Sequence, residues 1–199
     1  MNLEFLGDAL DHWKGSLFES LMQASLVHDF AVDPMASDRE AWQLEDFALL
    51  ARLLRVDRSR LIPHRVGLSD RKRYFAEIAH TGDLFVDPDT GVATGRVKEP
   101  KRYIRPGEIA QLLEVPDRLL VVYQHVQRQE VSARVDAVRQ KLEEAVPELQ
   151  WCSYESGTVA MLFCARSKQR TSAVAAHFAV LLGRHADGRI RGSRNGAEV

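Results

Sequence analysis

The residues of this sequence best suited to chemistry are Asp33, Asp87, Asp89 and His125, because each follows a short apolar run. "FAV" ends at Asp33, "DLFV" passes into "DPDTG" at Asp87 and Asp89, and "RLLVVYQ" ends at His125. Carboxylates can stabilise a developing positive charge and orient water, and an imidazole can donate to a leaving group. If the apolar runs are parallel strands, their carboxyl ends lie on one rim of a sheet, where α/β proteins bind ligands. The four side chains are therefore expected in one crevice. Taken singly, each also has a structural reading. Asp, Pro and Gly all favour turns, so Asp87 and Asp89 serve equally to open an Asx turn ahead of Gly91, and His125 to cap its strand.

The elements that must position this rim follow from periodicity. Leu3, Leu6, Leu10, Trp13, Leu17 and Leu21 recur at helical spacing over residues 3 to 25. On that helix Trp13 reads as core, and Asp8, Asp11 and Lys14 read as a surface ion-pair set. Ser37 and Glu40 form a capping box that opens a second helix through "SDREAWQLEDFALLARLLRV". "SDRKRYFAEIAHTG", "RPGEIAQLLEV", "VSARVDAVRQKLEEAV" and "TSAVAAHFAVLLGRH" read as further helices. "DLFVDPD", "RLLVVYQH", "LQWCSYES" and "TVAMLFCARS" read as strands, the last two joined by a turn at Gly157. Strand and helix alternate between residues 26 and 145. This predicts a three-layer α/β/α sandwich with a mostly parallel sheet and an antiparallel C-terminal hairpin at one edge. The single domain is expected over residues 1 to 185, with 186 to 199 a mobile Gly- and Arg-rich tail.

Composition narrows the partners. At 199 residues, 45% of them hydrophobic, the chain can bury one real core. No run of about 18 apolar residues exists to span a membrane. The start, "MNLEFLGDALDHWKG", lacks the basic region of a signal peptide. Cys152 and Cys164 fall in strands and read as buried thiols, which fits a reducing, cytoplasmic setting, and no Cys/His cluster has zinc spacing. The net charge of -1 conceals segregation. Ten acids occupy residues 1 to 50 against Lys14 and Arg39, whereas Arg52, Arg55, Arg58, Arg60, Arg65, Arg71, Lys72 and Arg73 crowd residues 52 to 73. Arg96, Lys98, Lys101, Arg102 and Arg105 make a second basic run, and the tail adds Arg184, Arg189, Arg191 and Arg194. Each run alone reads as a solvated face; together they suit a phosphate-bearing partner.

Two resemblances bear on function. In order of elements the chain resembles adenine-N6-type nucleic-acid methyltransferases: "GDALDHWKGSLFESL" precedes "FAVDPM", "LFVDPDTG" stands where that family has Asp-Pro-Pro-Tyr, and the terminal hairpin fits. "FAVDPMASD" has no glycine turn for close approach to S-adenosylmethionine, and "DPDT" lacks the second proline and the stacking aromatic. The chain also resembles the uracil-DNA-glycosylase superfamily, through Asp33-Pro34 in "AVDPM" and His125 in "YQHVQR". That resemblance implies base excision, which needs a carboxylate and a hydrogen-bond donor but no cofactor and no metal. A third pattern, Pro88-Asp89 followed by Glu99-Pro100-Lys101, spells the motif of metal-dependent restriction-type nucleases, although Pro100 would interrupt the paired strand that motif occupies.

The expectation taken forward is a DNA glycosylase of α/β/α architecture that hydrolyses the N-glycosidic bond of a normal, modified or damaged base. Asp33 and Asp87 are its carboxylates, Asp89 supports them, and His125 donates to the leaving base. Met35 and Tyr123 pack against the flipped base, and Arg96, Lys98, Lys101 and Arg102 hold DNA phosphates. The alternatives are a methyltransferase, intact or degenerate, with S-adenosylmethionine near Asp33, and a catalytically dead member of either fold that binds DNA or a protein.

Overall fold

Apolar strands buried on both faces need helices above and below them, and this chain supplies both layers. The computed structural model describes residues 1–78, 80–126 and 129–192. Its main sheet has six strands: β1 (Ala31–Asp33), β2 (Leu84–Val86), β5 (Leu120–His125), β6 (Gln150–Ser156), β7 (Val159–Ala165) and β8 (Ile190–Gly192). They lie in the order β1-β2-β5-β7-β6-β8. β1, β2 and β5 pair in parallel. β7 is antiparallel to both β5 and β6, so β6 runs in the direction of β5 and only β7 and β8 are reversed. A small parallel pair, β3 (Gly91–Val92) with β4 (Tyr103–Ile104), lies outside this sheet.

The pleat sends alternate residues to opposite layers. Val32, Phe85, Val121 and Phe163 pack with Leu17, Phe18 and Leu21 of α1 (Ala9–Gln23), Leu50 of α2 (Leu44–Leu53) and Phe178 of α6 (Lys168–Leu182). Leu84, Val86, Leu120, Val122 and Leu162 pack with Tyr74 of α3 (Arg71–Ala76), Ile109 of α4 (Pro106–Leu112) and Val138 of α5 (Val131–Ala145). Each fully buried Leu or Phe contributes about 1.5–3 kcal/mol by leaving water. Gly15 lets α1 close on α2, since a Cβ there would stand 2.1 Å from the Leu53 carbonyl oxygen. Cys152 and Cys164 are buried free thiols, and burial pushes the Cys164 thiol up to about 12. Among the described residues no helix is long and apolar enough to cross a membrane.

The α/β/α sandwich is as expected, but four boundaries differ. The first helix starts at Ala9, where Asp8 accepts from the Leu10 and Asp11 amides; Gly7 at φ 89° breaks it from a single 3₁₀ turn at Leu3–Phe5. Ser37 caps no helix. The Asp38 carboxylate accepts from Leu3 N and Trp42 Nε1, holding the chain in a turn, and α2 begins later, with Asp46 accepting the Gln43 amide. The terminal hairpin is not itself the edge, because β7 inserts between β5 and β6. The edge is β8, so residues 190 to 192 of the expected tail are a paired strand; residues 193 to 199, with Arg194, lie outside the described residues.

Candidate functional site at the carboxyl rim

The chain leaves β2 through "DPDTG", and the geometry of this loop follows from one glycine and one glutamine. Gly91 sits at φ 111°, and a Cβ there would lie 2.4 Å from Gln124 Oε1. The buried Gln124 amide donates to the Thr90 and His125 carbonyls, and its Oε1 accepts from the Val92 amide. The His125 amide donates to the Thr90 carbonyl at 3.2 Å. The loop is thereby fastened to the end of β5, which brings Asp87 beside His125. The stretch is both a turn and part of a cleft wall.

Register decides which carboxylates meet. Asp33 aligns with Val86, and Val86 with Val122. Asp33 therefore points to the α3 layer, whereas Asp87, one residue further on, points with Phe85 and Tyr123 to the α1 layer. The expected single crevice does not form: Asp33 and Asp87 lie on opposite faces of the sheet.

On the α1 face, Lys14 Nζ donates to Asp87 Oδ2 at 2.8 Å and to Asp11 Oδ1 at 3.1 Å, and stands 4.4 Å above the Tyr123 ring centroid. All three charged side chains are buried. Of the set read from the sequence as surface ion pairs, Asp11 and Lys14 are thus the buried floor of a 190 Å³ cleft, and Asp8, only partly buried, lines it with Asp89, Arg102 and His125. Burial opposes the charge on Lys14, but Asp87 and Asp11 outweigh it and hold the ammonium above its ordinary value. Burial pushes the Asp87 carboxyl up, against the pull of Lys14 and the N-terminal ammonium. Two carboxylates to one lysine make the cluster hold its protons tightly. The Tyr123 hydroxyl is pushed up by burial and by Asp87, and it lies 3.2 Å from His125 Nδ1. Burial, opposed by Asp8 and aided by Arg102 and Lys14, keeps the half-buried His125 below its ordinary value.

Asp89 and Met35 have other work. The Asp89 side chain accepts from Ser37 Oγ at 2.6 Å and pairs with the Met1 ammonium at 2.8 Å and Arg102 Nε at 3.4 Å. It ties three segments together. Met35 is fully buried at φ 42°, its amide bonded to Asp33 Oδ1, so it offers no face to a flipped base. One face of Tyr123 is covered by Lys14, which leaves it a wall of the cleft rather than a free stacking platform.

Asp33 belongs to a second cluster. Its Oδ1 accepts from the Met35 amide at 2.9 Å, Tyr74 Oη at 2.5 Å and His64 Nε2 at 3.0 Å. The His64 and Tyr74 rings stack at 3.6 Å between centroids. Burial and the neighbouring Asp33 raise the Tyr74 hydroxyl well above its ordinary value. Neither ring was singled out in the sequence.

The basic runs divide in the same way. Arg55 pairs with Glu19, Arg60 with Asp29 and Arg71 with Glu108, so the fold mixes charges that the sequence keeps apart. Arg102 is committed to Asp89 and to Glu99, at 3.8 Å. Arg96, Lys98 and Lys101 are exposed and form no ion pair among the described residues. Arg96 lines a 310 Å³ polar cleft with Thr94, Tyr103 and Arg134, and His125 lines this cleft as well as the first. Arg134 is held there by bonds to Thr94 Oγ1 and the Val92 carbonyl. Of the nuclease-like pattern, Asp89 is paired inside while the Glu99 side chain is 62% exposed. No cluster of three or more His, Cys, Asp or Glu side chains able to hold a metal occurs among the described residues.

The residues missed by sequence reasoning, Asp11 and Lys14, had a signal. They occupy the same stripe as Phe18 and Leu21, at spacings of three and four, and a charged pair on an apolar stripe is buried by geometry. No protein-family model matches this chain, and no curated protein matches it.

Proposed function

We propose that this protein hydrolyses N-glycosidic bonds of DNA, with Asp87 and His125 as the reacting pair, in a reducing, cytoplasmic setting. The observation that carries the reading is His125 itself. It lines an acidic cleft holding Asp87 and Tyr123, and also a basic cleft holding Arg96 and Arg134. A nucleotide needs both: a cationic seat for its phosphate and a carboxylate near its sugar.

In this scheme the Tyr123 hydroxyl donates to His125 Nδ1, which puts the neutral ring's proton on Nε2. The C1′–N bond breaks as His125 Nε2–H donates to the leaving base, and Asp87 stabilises the positive charge on the sugar. His125 keeps its proton and donates only this hydrogen bond to the base, which leaves with the electron pair of the broken bond; water adds to C1′ and gives up its proton to the departing base. Lys14 positions Asp87 and, held protonated, forms no Schiff base. Asp33 and Met35 take no part, and Arg102 is replaced as phosphate contact by Arg134.

The methyltransferase reading stays second. The order of elements and the terminal hairpin favour it; the glycine-free segment after β1, closed by the Asp33–Met35 bond, counts against it. One experiment separates the readings: incubation with varied DNAs in chelator, with and without S-adenosylmethionine, followed by mass spectrometry. Released base from wild type, reduced about 100-fold or more in His125→Gln with unchanged melting temperature, supports the proposal. Methyl transfer without base release supports the second reading, and neither product supports a binding protein.

A further inference from the structure

An extruded base needs a surface to stack on, and neither expected residue supplies one: Met35 is fully buried and Lys14 covers one face of Tyr123. The cleft that holds Asp87 and His125 has two further side chains in its wall, Phe5 and Asp8. Phe5 is 49% exposed, and of the Phe, Tyr and Trp side chains among the described residues it is the one that is exposed. A lone exposed ring is ordinary on a loose surface, but this ring stands on a fixed turn. The Phe5 amide donates to the Asn2 carbonyl at 3.1 Å, and the Phe5 carbonyl accepts from the Asp8 amide at 3.2 Å. The Leu3 amide is held in turn by the Asp38 carboxylate. The ring is thus placed in advance of any ligand, which spares the cost of ordering it on binding.

Asp8 gives this wall its charge. Its Oδ1 accepts from the Leu10 and Asp11 amides at 2.8 and 3.1 Å, while its Oδ2 accepts nothing among the described residues. The other carboxylates of the cleft each have a cation: Asp11 and Asp87 share Lys14, and Asp89 has the Met1 ammonium and Arg102. Among the described residues Asp8 pairs with none, yet it lies near enough to His125 and Tyr123 for its charge to act on both. A partly buried carboxylate with a free oxygen calls for a cation or an N–H donor. A flat cation laid on an aromatic face gains again from the ring.

We infer that the base seated in this cleft is positively charged, as a nucleobase becomes when one of its ring nitrogens is alkylated. Its ring lies on Phe5, and its charge or an exocyclic N–H meets Asp8 Oδ2. The inference rests on the nucleotide seating proposed above and names the substrate class as alkylated DNA. A base of this class departs neutral, because the electron pair of the broken C1′–N bond cancels its ring charge. The proton of the water that adds to C1′ then passes to solvent in place of the base.

The test is calorimetric titration near neutral pH with two probes, 1-methyl-2′-deoxyadenosine 5′-monophosphate, whose base is cationic, and unmethylated 2′-deoxyadenosine 5′-monophosphate. Released base is measured in the same samples. The methylated probe is expected to bind about tenfold or more tightly than its parent. Phe5→Leu, at an exposed position, should remove most of that preference, and Phe5→Trp should keep it. Asp8→Asn, which keeps a capping oxygen for the helix but not the charge, should erase it. Preferential binding without base release upholds this seat and contradicts the hydrolytic reading alone. Equal affinity for the two probes, no saturable heat with either, or a preference unmoved in Phe5→Leu or in Asp8→Asn would overturn the assignment, even where base is released.

Discussion

Asp33 and Asp87 end neighbouring parallel strands, are equally buried and stand one residue apart in register, yet they have partners of different kinds. Asp33 has three hydrogen-bond donors on one oxygen: an amide, a phenol and the His64 ring. Asp87 has a buried ammonium. One turn of the pleat separates them, and with it the cost of touching each. Removing a donor from Asp33 leaves others in place. Removing Lys14 leaves two buried carboxylates without their cation, and an uncompensated charge is the more expensive loss. The comparison also separates roles: a carboxylate lining a polar cleft can act on a nucleotide, whereas Asp33, fully buried beneath the His64 and Tyr74 rings, holds those rings in place.

The largest expected effect is therefore on stability. Lys14→Met should cost about 3–5 kcal/mol in urea unfolding, against about 1–3 kcal/mol for Tyr74→Phe. A larger loss from Tyr74→Phe would reverse the comparison. The raised Lys14 value fixes the pH range of this effect. A base whose folded value lies above its unfolded one contributes fully below the unfolded value and loses that contribution as pH rises through the folded one. The Lys14→Met penalty should thus be constant between pH 6 and 9 and shrink only in strong alkali.

A smaller effect is expected on the pH dependence of rate. Asp87 must be ionised, and its carboxyl is raised above 3.8. Activity should therefore fade on acidification before an ordinary aspartate would protonate, while its raised value makes Asp87 alone favour folding at low pH. An acid limb at or below the ordinary value would show that Asp87 is not the titrating group. The smallest effect is on binding. Arg96→Glu with Lys98→Glu should flatten the salt dependence of DNA affinity by about 0.9 per lost phosphate contact. An unchanged slope would move the DNA surface to the unpaired arginines of residues 52 to 65.

Much of the layered fold could be read from the sequence because period and alternation are local. The strand runs of β2, β5, β6 and β7 are apolar, and buried residues recur along α1, α5 and α6. Pairing was less legible. Nothing in "TVAMLFCARS" says that β7 enters between β5 and β6, nor that "RIRG" returns as an edge strand. The rim was half legible for a related reason. Asp87, Tyr123 and His125 do line one cleft, but which face Asp33 takes depends on a register of one residue between strands 50 residues apart in sequence. Lys14 and Asp11 were placed on the right helix with the wrong exposure, because only packing shows that their stripe faces the sheet.

The central claim is that chemistry belongs to the α1 face alone. Its most direct test is the rate of base release by Asp33→Asn and Asp87→Asn, each measured below its own melting temperature and normalised to folded protein. Both substitutions disturb buried bonds, so both are expected to lower stability, and the rates carry the decision. The account predicts that Asp87→Asn loses about 100-fold or more while Asp33→Asn stays within a few-fold of wild type. Equal loss in both folded variants, or a loss confined to Asp33→Asn, would contradict it.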